Sequence, residues 1–257
     1  MGRFITWLPT LVHLLAAANF AFYGPGWAGS IFSADAESEA AAMLTKDQIT
    51  SGAYLENFGE MPKDLLWTLE QIEQSMRETL AKRHERGDIW VFGYGSLLWN
   101  PLLNFAGQKR ATLQGWHRSF CMRIIAGRAT VSTPGRMLAL EPGGSTQGVA
   151  FKLTEQVARE ELILLWIREM PTGAYRPVWA PISMDDGTHA TALVFVAEPD
   201  HPLYEKDASV ESVTRHISVA SGPMGSNAEY VHKLTNALCE SGFFDEYIGA
   251  LSAGITP

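Results

Sequence analysis

Apolar residues recur along the chain with two different periods, and the changes between them divide it into helices and strands. Leu65, Leu66, Leu69, Ile72, Met76 and Leu80 fall on one helical face, with Pro62 near its start and Gly87 past its end. The apolar run at 89–94 reads as a buried strand. Shorter β-like runs follow at 113–125, 136–141, 147–153, 178–183 and 188–197, separated by turn signals. Asp186-Gly187 between the last two predicts a hairpin. One helix interrupts the strands. Thr154 is placed to cap it, and Glu155 sits at its positive end. Ala158, Leu162, Leu165 and Trp166 form its apolar stripe, and Pro171 stops it, with Met170 already leaving helical geometry. In the carboxyl third, Val210, Val213, Ile217 and Ala220 share a face until Ser221-Gly222-Pro223. Ser226-Asn227-Ala228-Glu229 then reads as a capping box before Tyr230, Val231, Leu234 and Leu238, and Gly242 closes that helix. The pattern predicts an α+β fold: a small mixed β-barrel or strongly curled sheet wrapped by helices.

Size and composition narrow the class. With 257 residues and 46% hydrophobic residues, the chain suits one substantial domain with accessory helices. Its net charge of −8 argues against nucleic acid as a partner. Between Arg3 and Gly24 there is no charged residue, as in a signal peptide or an anchor, yet Pro9, Thr10, His13 and Asn19 interrupt the apolar run. Met43 offers a second start, followed by a capping box at Thr45-Lys46-Asp47-Gln48. Residues 1–42 are therefore expected to lie outside the fold, and residues 43–257 to form a single domain. No membrane association is expected. Two cysteines without CxxC spacing, Cys121 and Cys239, give neither a disulfide framework nor a four-ligand zinc site.

The charge is unevenly spread. Between Asp88 and Glu141 there is no Asp or Glu, whereas Lys109, Arg110, Arg118, Arg123, Arg128 and Arg136 all fall there. Such a stretch either attracts a small anion or pairs with carboxylates elsewhere.

Within it lies Gly93-Tyr94-Gly95-Ser96, directly after the buried strand. A glycine-rich bend lets backbone N–H groups face an anion or polar oxygen unshielded by side chains. No lysine follows, as a phosphate-binding P-loop requires. No third glycine follows, as a dinucleotide fingerprint requires. The glycines do not flank Ser96 as in a nucleophile elbow, so Ser96 does not read as a triad nucleophile. The alternative is a bulge that merely turns the strand.

Glu169 stands eleven residues after Ala158, close to a whole number of helical turns, so it continues the buried stripe below Leu165 and Trp166. Burial and a helix carboxyl end both disfavour its charge, which raises the pKa toward that of a useful proton shuttle. The alternative is a structural pairing with Arg168 or Arg176. Arg168, about 100° around the helix, is expected to face outward.

Three segments together resemble the ChaC-type γ-glutamylcyclotransferases, the glutathione-specific branch of the γ-glutamylcyclotransferase-like fold. They are the run 91–101 (VFGYGSLLWNP), Arg168-Glu169-Met170 followed by Gly173-Ala174-Tyr175-Arg176-Pro177, and the run 221–230 (SGPMGSNAEY). In order and spacing the likeness extends from about Leu44 to Leu251. The resemblance implies a lyase that cleaves glutathione to 5-oxoproline and cysteinylglycine, consuming no water and using no metal or cofactor. The substrate's α-amine attacks its own γ-carbonyl. Glu169 takes the place of the family's catalytic glutamate, and Val91, Phe92, Gly93, Tyr94, Gly95, Ser96 and Leu97 that of the loop holding the γ-glutamyl group. The bent backbone would bind either the α-carboxylate or the developing oxyanion. Arg118 and Arg123 are candidates for distal carboxylate contacts, and Tyr175 and Tyr230 for hydroxyl contacts. A cytoplasmic monomer or weak dimer is expected. The alternatives are a cyclotransferase for another γ-glutamyl substrate, and a non-catalytic binding protein on the same fold.

Overall fold

A computed structural model of the chain describes residues 44–255. The expectations for residues 1–42 and for Met43 lie outside the described residues.

Five strands close into a barrel: β1 (Ile89–Gly93), β2 (Gly107–Ile124), β3 (Gly135–Leu153), β4 (Tyr175–Met184) and β5 (His189–Ala197), in the order β1-β3-β2-β4-β5. Closure comes from a parallel pairing of β1 with β5, Trp90 opposite Ala192 and Val91 opposite Leu193. The other ladders are antiparallel. The two runs expected at 136–141 and 147–153 are one strand. Pro142 still pairs with Trp116, and the ladder resumes at Ser145 opposite Gln114 across a register shift. Gly115, Gly143 and Gly144 take positive φ there, so the turn-like residues bend the strand without ending it. The Asp186-Gly187 hairpin forms, with Gly187 at φ 82°.

Helices cover the barrel. Short α1 (Lys46–Thr50) and α2 (Ala53–Glu56) come first, and Thr45 and Gln48 form the capping box expected of them. Helix α3 spans Leu69–Ala81 and is later and shorter than its apolar pattern implies. Thr68 and Gln71 cap it reciprocally, leaving Leu65 in a 3₁₀ turn and Leu69 exposed. Helix α4 (Glu155–Glu169) packs with α3 against one face of the barrel, around Val91, Phe151, Leu162, Leu165, Trp166 and Phe195. Thr154 occupies its N-cap position without a side-chain bond; Asp88 Oδ1 accepts from the Glu155 N–H instead, at 3.3 Å. Helices α5 (Val210–Ile217), α6 (Asn227–Glu240) and α7 (Glu246–Gly254) bury their apolar faces with the main cluster around Phe92, Leu113, Phe120 and Val194. A two-stranded ribbon, β6 (Ser221–Gly222) and β7 (Gly225–Ser226), leads into α6. Ser226 caps that helix through the Glu229 N–H at 3.1 Å, while the Glu229 carboxylate turns to Arg128 and Lys233. Among the described residues no helix is long and apolar enough to cross a membrane.

Candidate active site

Where β1 ends, the chain turns sharply. Gly93 closes the strand, and Ser96–Leu98 forms a 3₁₀ turn with the Leu98 N–H donating to Gly95 O at 2.9 Å. The two glycines do different work. A Cβ on Gly93 would stand 2.8 Å from Phe151 Cε2 and 2.9 Å from Leu97 Cβ, so this glycine permits close packing beneath the turn. A Cβ on Gly95 would stand 3.1 Å from the Tyr230 hydroxyl and 3.2 Å from Leu138 Cδ2, so this one keeps space open above it.

That space is a cavity of ≈ 220 Å³, and Gly95, Ser96, Glu169 and Tyr230 all line it. Of the other expected loop residues, Phe92, Tyr94 and Leu97 also reach its wall, whereas Val91 and Gly93 support the turn from below.

Glu169 is the last residue of α4, and the backbone leaves helical geometry at Met170 (φ −115°, ψ 26°). Its side chain keeps 19% exposure, directed to the cavity it lines. Burial raises its pKa above the ordinary 4.5, and the charge of Arg168 only partly offsets this.

Arg168 corrects the sequence-based expectation, because it faces inward. Its Nη2 donates to Ser96 Oγ and its Nη1 to Asn100 O, each at 2.6 Å, and its Nε lies 3.2 Å from Glu169 Oε1. One guanidinium therefore joins the acid to the glycine turn. The available signal was the helix itself. Residues 162–167 are all apolar, and a helix apolar on every side is enclosed by protein, leaving no outer face for its next residue.

Four tyrosines feel the field of Glu169: Tyr54, Tyr94, Tyr175 and Tyr230. Burial holds all four phenols above their usual range, Tyr230 at about 12, so they are neutral donors. Tyr54, Tyr94 and Tyr175 donate to the carbonyls of Arg168, Phe195 and Leu138 at 3.0, 2.7 and 2.8 Å. Tyr175 therefore meets the cavity with its ring, not with a free hydroxyl. The Tyr230 hydroxyl has no such acceptor among the described residues; it faces the Ser96 backbone N–H from the cavity side.

Arg118 does not line the cavity. Its guanidinium donates to Tyr94 O (2.8 Å), Gln147 O (2.6 Å) and Asp245 Oδ2 (3.0 Å), so it braces the glycine turn from within the protein. Arg123 does line the cavity. So do Leu44, Tyr54, Phe58 and Met61 from the segment before the barrel, which the sequence reading missed. Asn100 Nδ2 donates to Leu44 O at 2.9 Å, and the Lys46–Glu161 ion pair at 2.8 Å ties α1 to α4. Among the described residues no group of three or more His, Cys, Asp or Glu is placed to hold a metal ion.

The chain is similar to known proteins in both sequence and fold. A glutathione-specific γ-glutamylcyclotransferase of Escherichia coli (strain K12) is 45% identical over 213 residues, covering 83% of this chain and 92% of that protein. Glutathione-specific γ-glutamylcyclotransferase 1 of Danio rerio is 35% identical over 154 residues, 58% of this chain and 78% of that protein. The crystal structure of a γ-glutamyl cyclotransferase specific to glutathione from yeast superposes with a TM-score of 0.61, covering 66% of this chain and 96% of that one; at 22% identity this establishes a shared fold. A family model described as ChaC-like protein matches residues 89–256, and the chain belongs to that family.

Proposed function

We propose that the chain is a glutathione-specific γ-glutamylcyclotransferase, a carbon–nitrogen lyase releasing 5-oxoproline and cysteinylglycine. The observation that carries this reading is the joining of a desolvated carboxyl group, Glu169, to a glycine turn through Arg168, both facing one cavity. The names of the relatives at 45% and 35% identity support the same substrate.

The reaction needs positioning and one proton shuttle. The γ-glutamyl group is held at Gly95 and Ser96, folded so that its α-amine approaches its own γ-carbonyl. Positioning of this kind is worth up to about 7–11 kcal/mol in the best intramolecular cases. Glu169 accepts a proton from the α-amine as nitrogen bonds to the carbonyl carbon. The Tyr230 hydroxyl and the turn backbone donate to the oxygen as it gains charge. The amide C–N bond to the cysteinyl residue then breaks, and Glu169 returns the proton to the departing nitrogen. No water enters, and Glu169 ends as it began.

Residues 43–257 act as a single catalytic domain in this reading, since the cavity is lined from Leu44 through to Lys233. Two free cysteines fit a reducing, glutathione-rich cytoplasm. The test is incubation of the purified protein with glutathione and quantification of 5-oxoproline. Release that depends on Glu169 is expected, and a folded protein that binds glutathione without turning it over overturns the reading.

A further inference from the structure

Most of the basic residues in the acid-free stretch have carboxylates of their own. Lys109 pairs with Asp186, Arg110 with Asp185, Arg118 with Asp245, Arg128 with Glu229 and Arg136 with Glu205. Arg123 has no ion-pair partner among the described residues, and its buried Nε has no hydrogen-bond acceptor. Arg123 also stands directly opposite Arg136 across the β2–β3 ladder. Directly opposed residues project to the same face, and like charges so placed repel. The buried Nε of Arg136 also lacks an acceptor, and Glu205 lies 3.4 Å from its Nη1. Of these two opposed arginines only Arg136 has an ion-pair carboxylate among the described residues, so Arg123 is left short of negative charge.

The cavity gives that deficit a direction. Four basic residues line it: Arg123, Arg128, Arg168 and Lys233. Arg128 and Lys233 both bind Glu229, at 2.9 and 2.8 Å, and Arg168 is held by Glu169, Ser96 and Asn100. Arg123 sits on another element from Glu169, at the far end of β2, where its N–H donates to Leu203 O at 2.7 Å. Met61, Met122 and Leu203 form an apolar cluster there and line the same cavity, with Met137 packed against it. A thioether-rich surface suits a small, polarisable side chain.

We propose that Arg123 marks a second, carboxylate-binding subsite of the cavity, which selects γ-glutamyl peptides ending in a free carboxylate over γ-glutamyl amines, amides and esters. The inference rests on the cyclotransferase reading and deepens it. A peptide of three units extends about 10 Å at 3.3–3.6 Å per residue. Its terminal carboxylate therefore lies well away from the γ-carbonyl at Glu169. The cysteinyl side chain crosses the methionine surface, and the glycyl carboxylate meets a guanidinium that no acceptor among the described residues occupies.

The experiment measures 5-oxoproline release from glutathione and from its glycyl monoethyl ester by the wild-type protein, Arg123→Gln and Arg123→Lys. For the wild type, the ester should lower kcat/KM by about 10–100-fold, mainly through KM, as loss of a charge-assisted contact does. Arg123→Gln should lose a similar factor on glutathione and little more on the ester. Arg123→Lys, which keeps the charge without the planar fork, should fall between. If Arg123→Gln fails to fold, the wild-type comparison of acid with ester and the lysine variant decide. Equal handling of acid and ester by the wild type overturns the subsite, as does an equal penalty of Arg123→Gln on both. Absence of 5-oxoproline from both substrates with folded wild-type protein sinks the cyclotransferase reading itself, and the subsite with it.

Discussion

Two arginine–carboxylate pairs hold the glycine turn, one at Tyr94 and one at Ser96, and they are built to opposite ends. Arg118 reaches the Tyr94 carbonyl and pairs with Asp245; Arg168 reaches the Ser96 hydroxyl and pairs with Glu169. Asp245 stands at the N-cap of α7, where its other oxygen accepts from the Ile248 N–H at 3.2 Å and the helix dipole favours negative charge. Glu169 stands at the end of α4, where the dipole opposes it, and Arg168 directs its two terminal nitrogens to neutral oxygens. The same two kinds of side chain thus give a strut in one place and an acid kept poorly stabilised in the other. Helix polarity and the division of donors decide which.

The largest effect should come from the acid. Glu169→Gln should fold normally and lose about 10²–10⁴-fold in turnover of glutathione, the range for a lost general acid–base group. Near-normal turnover by a folded variant would leave Glu169 as another strut. In the wild type, the acid limb of kcat/KM should lie above pH 4.5, because Glu169 must lose its proton to accept one and burial has raised its pKa above that value.

Next comes the strut. Asp245→Ala leaves the Arg118 guanidinium, only 2% exposed, without its counter-charge. Chemical denaturation should show a loss of about 3–5 kcal/mol, as for a broken buried pair. A loss under about 1 kcal/mol, typical of surface pairs, would break the contrast from the other side. Smaller still is the difference between the glycines. Gly93→Ala meets packed carbon and should cost about 1–3 kcal/mol of stability. Gly95→Ala displaces the Tyr230 hydroxyl and should fall mainly on kcat/KM.

Local chemistry was legible in the sequence, and long-range chemistry was not. The glycine turn, the end of α4 before Pro171, the Asp186-Gly187 hairpin and the Thr45 capping box all depend on residues within one or two turns of each other. Arg168 faces acceptors 72 and 68 residues earlier, and the hydroxyl of Tyr54 reaches 114 residues ahead to the Arg168 carbonyl. No periodicity within a helix carries that information. Arg118 and Arg123 looked equivalent because both lie in the acid-free stretch. What separates them is whether the fold brings a carboxylate to each, and Asp245 comes from the final helix cap.

The smallest effect discriminates most finely, because it reads Glu169 in the absence of substrate. The folded protein holds the Glu169 proton to higher pH than the unfolded chain does. As pH rises from the unfolded value near 4.5 through the raised folded value, this group therefore subtracts stability, and above that window the deficit is constant. Glutamine stays neutral throughout. Glu169→Gln should melt higher than the wild type at pH 7, by about 2–4 °C for each kcal/mol recovered. The two melting curves should converge as pH falls below 4.5. Other carboxylates, such as Asp88 and Asp186, titrate alike in both proteins and cancel in the difference. If Glu169→Gln instead melts lower at pH 7, Arg168 stabilises the Glu169 charge more than burial opposes it. The pair beside Ser96 would then be a second strut, and the proton shuttle would have to be sought elsewhere in the cavity.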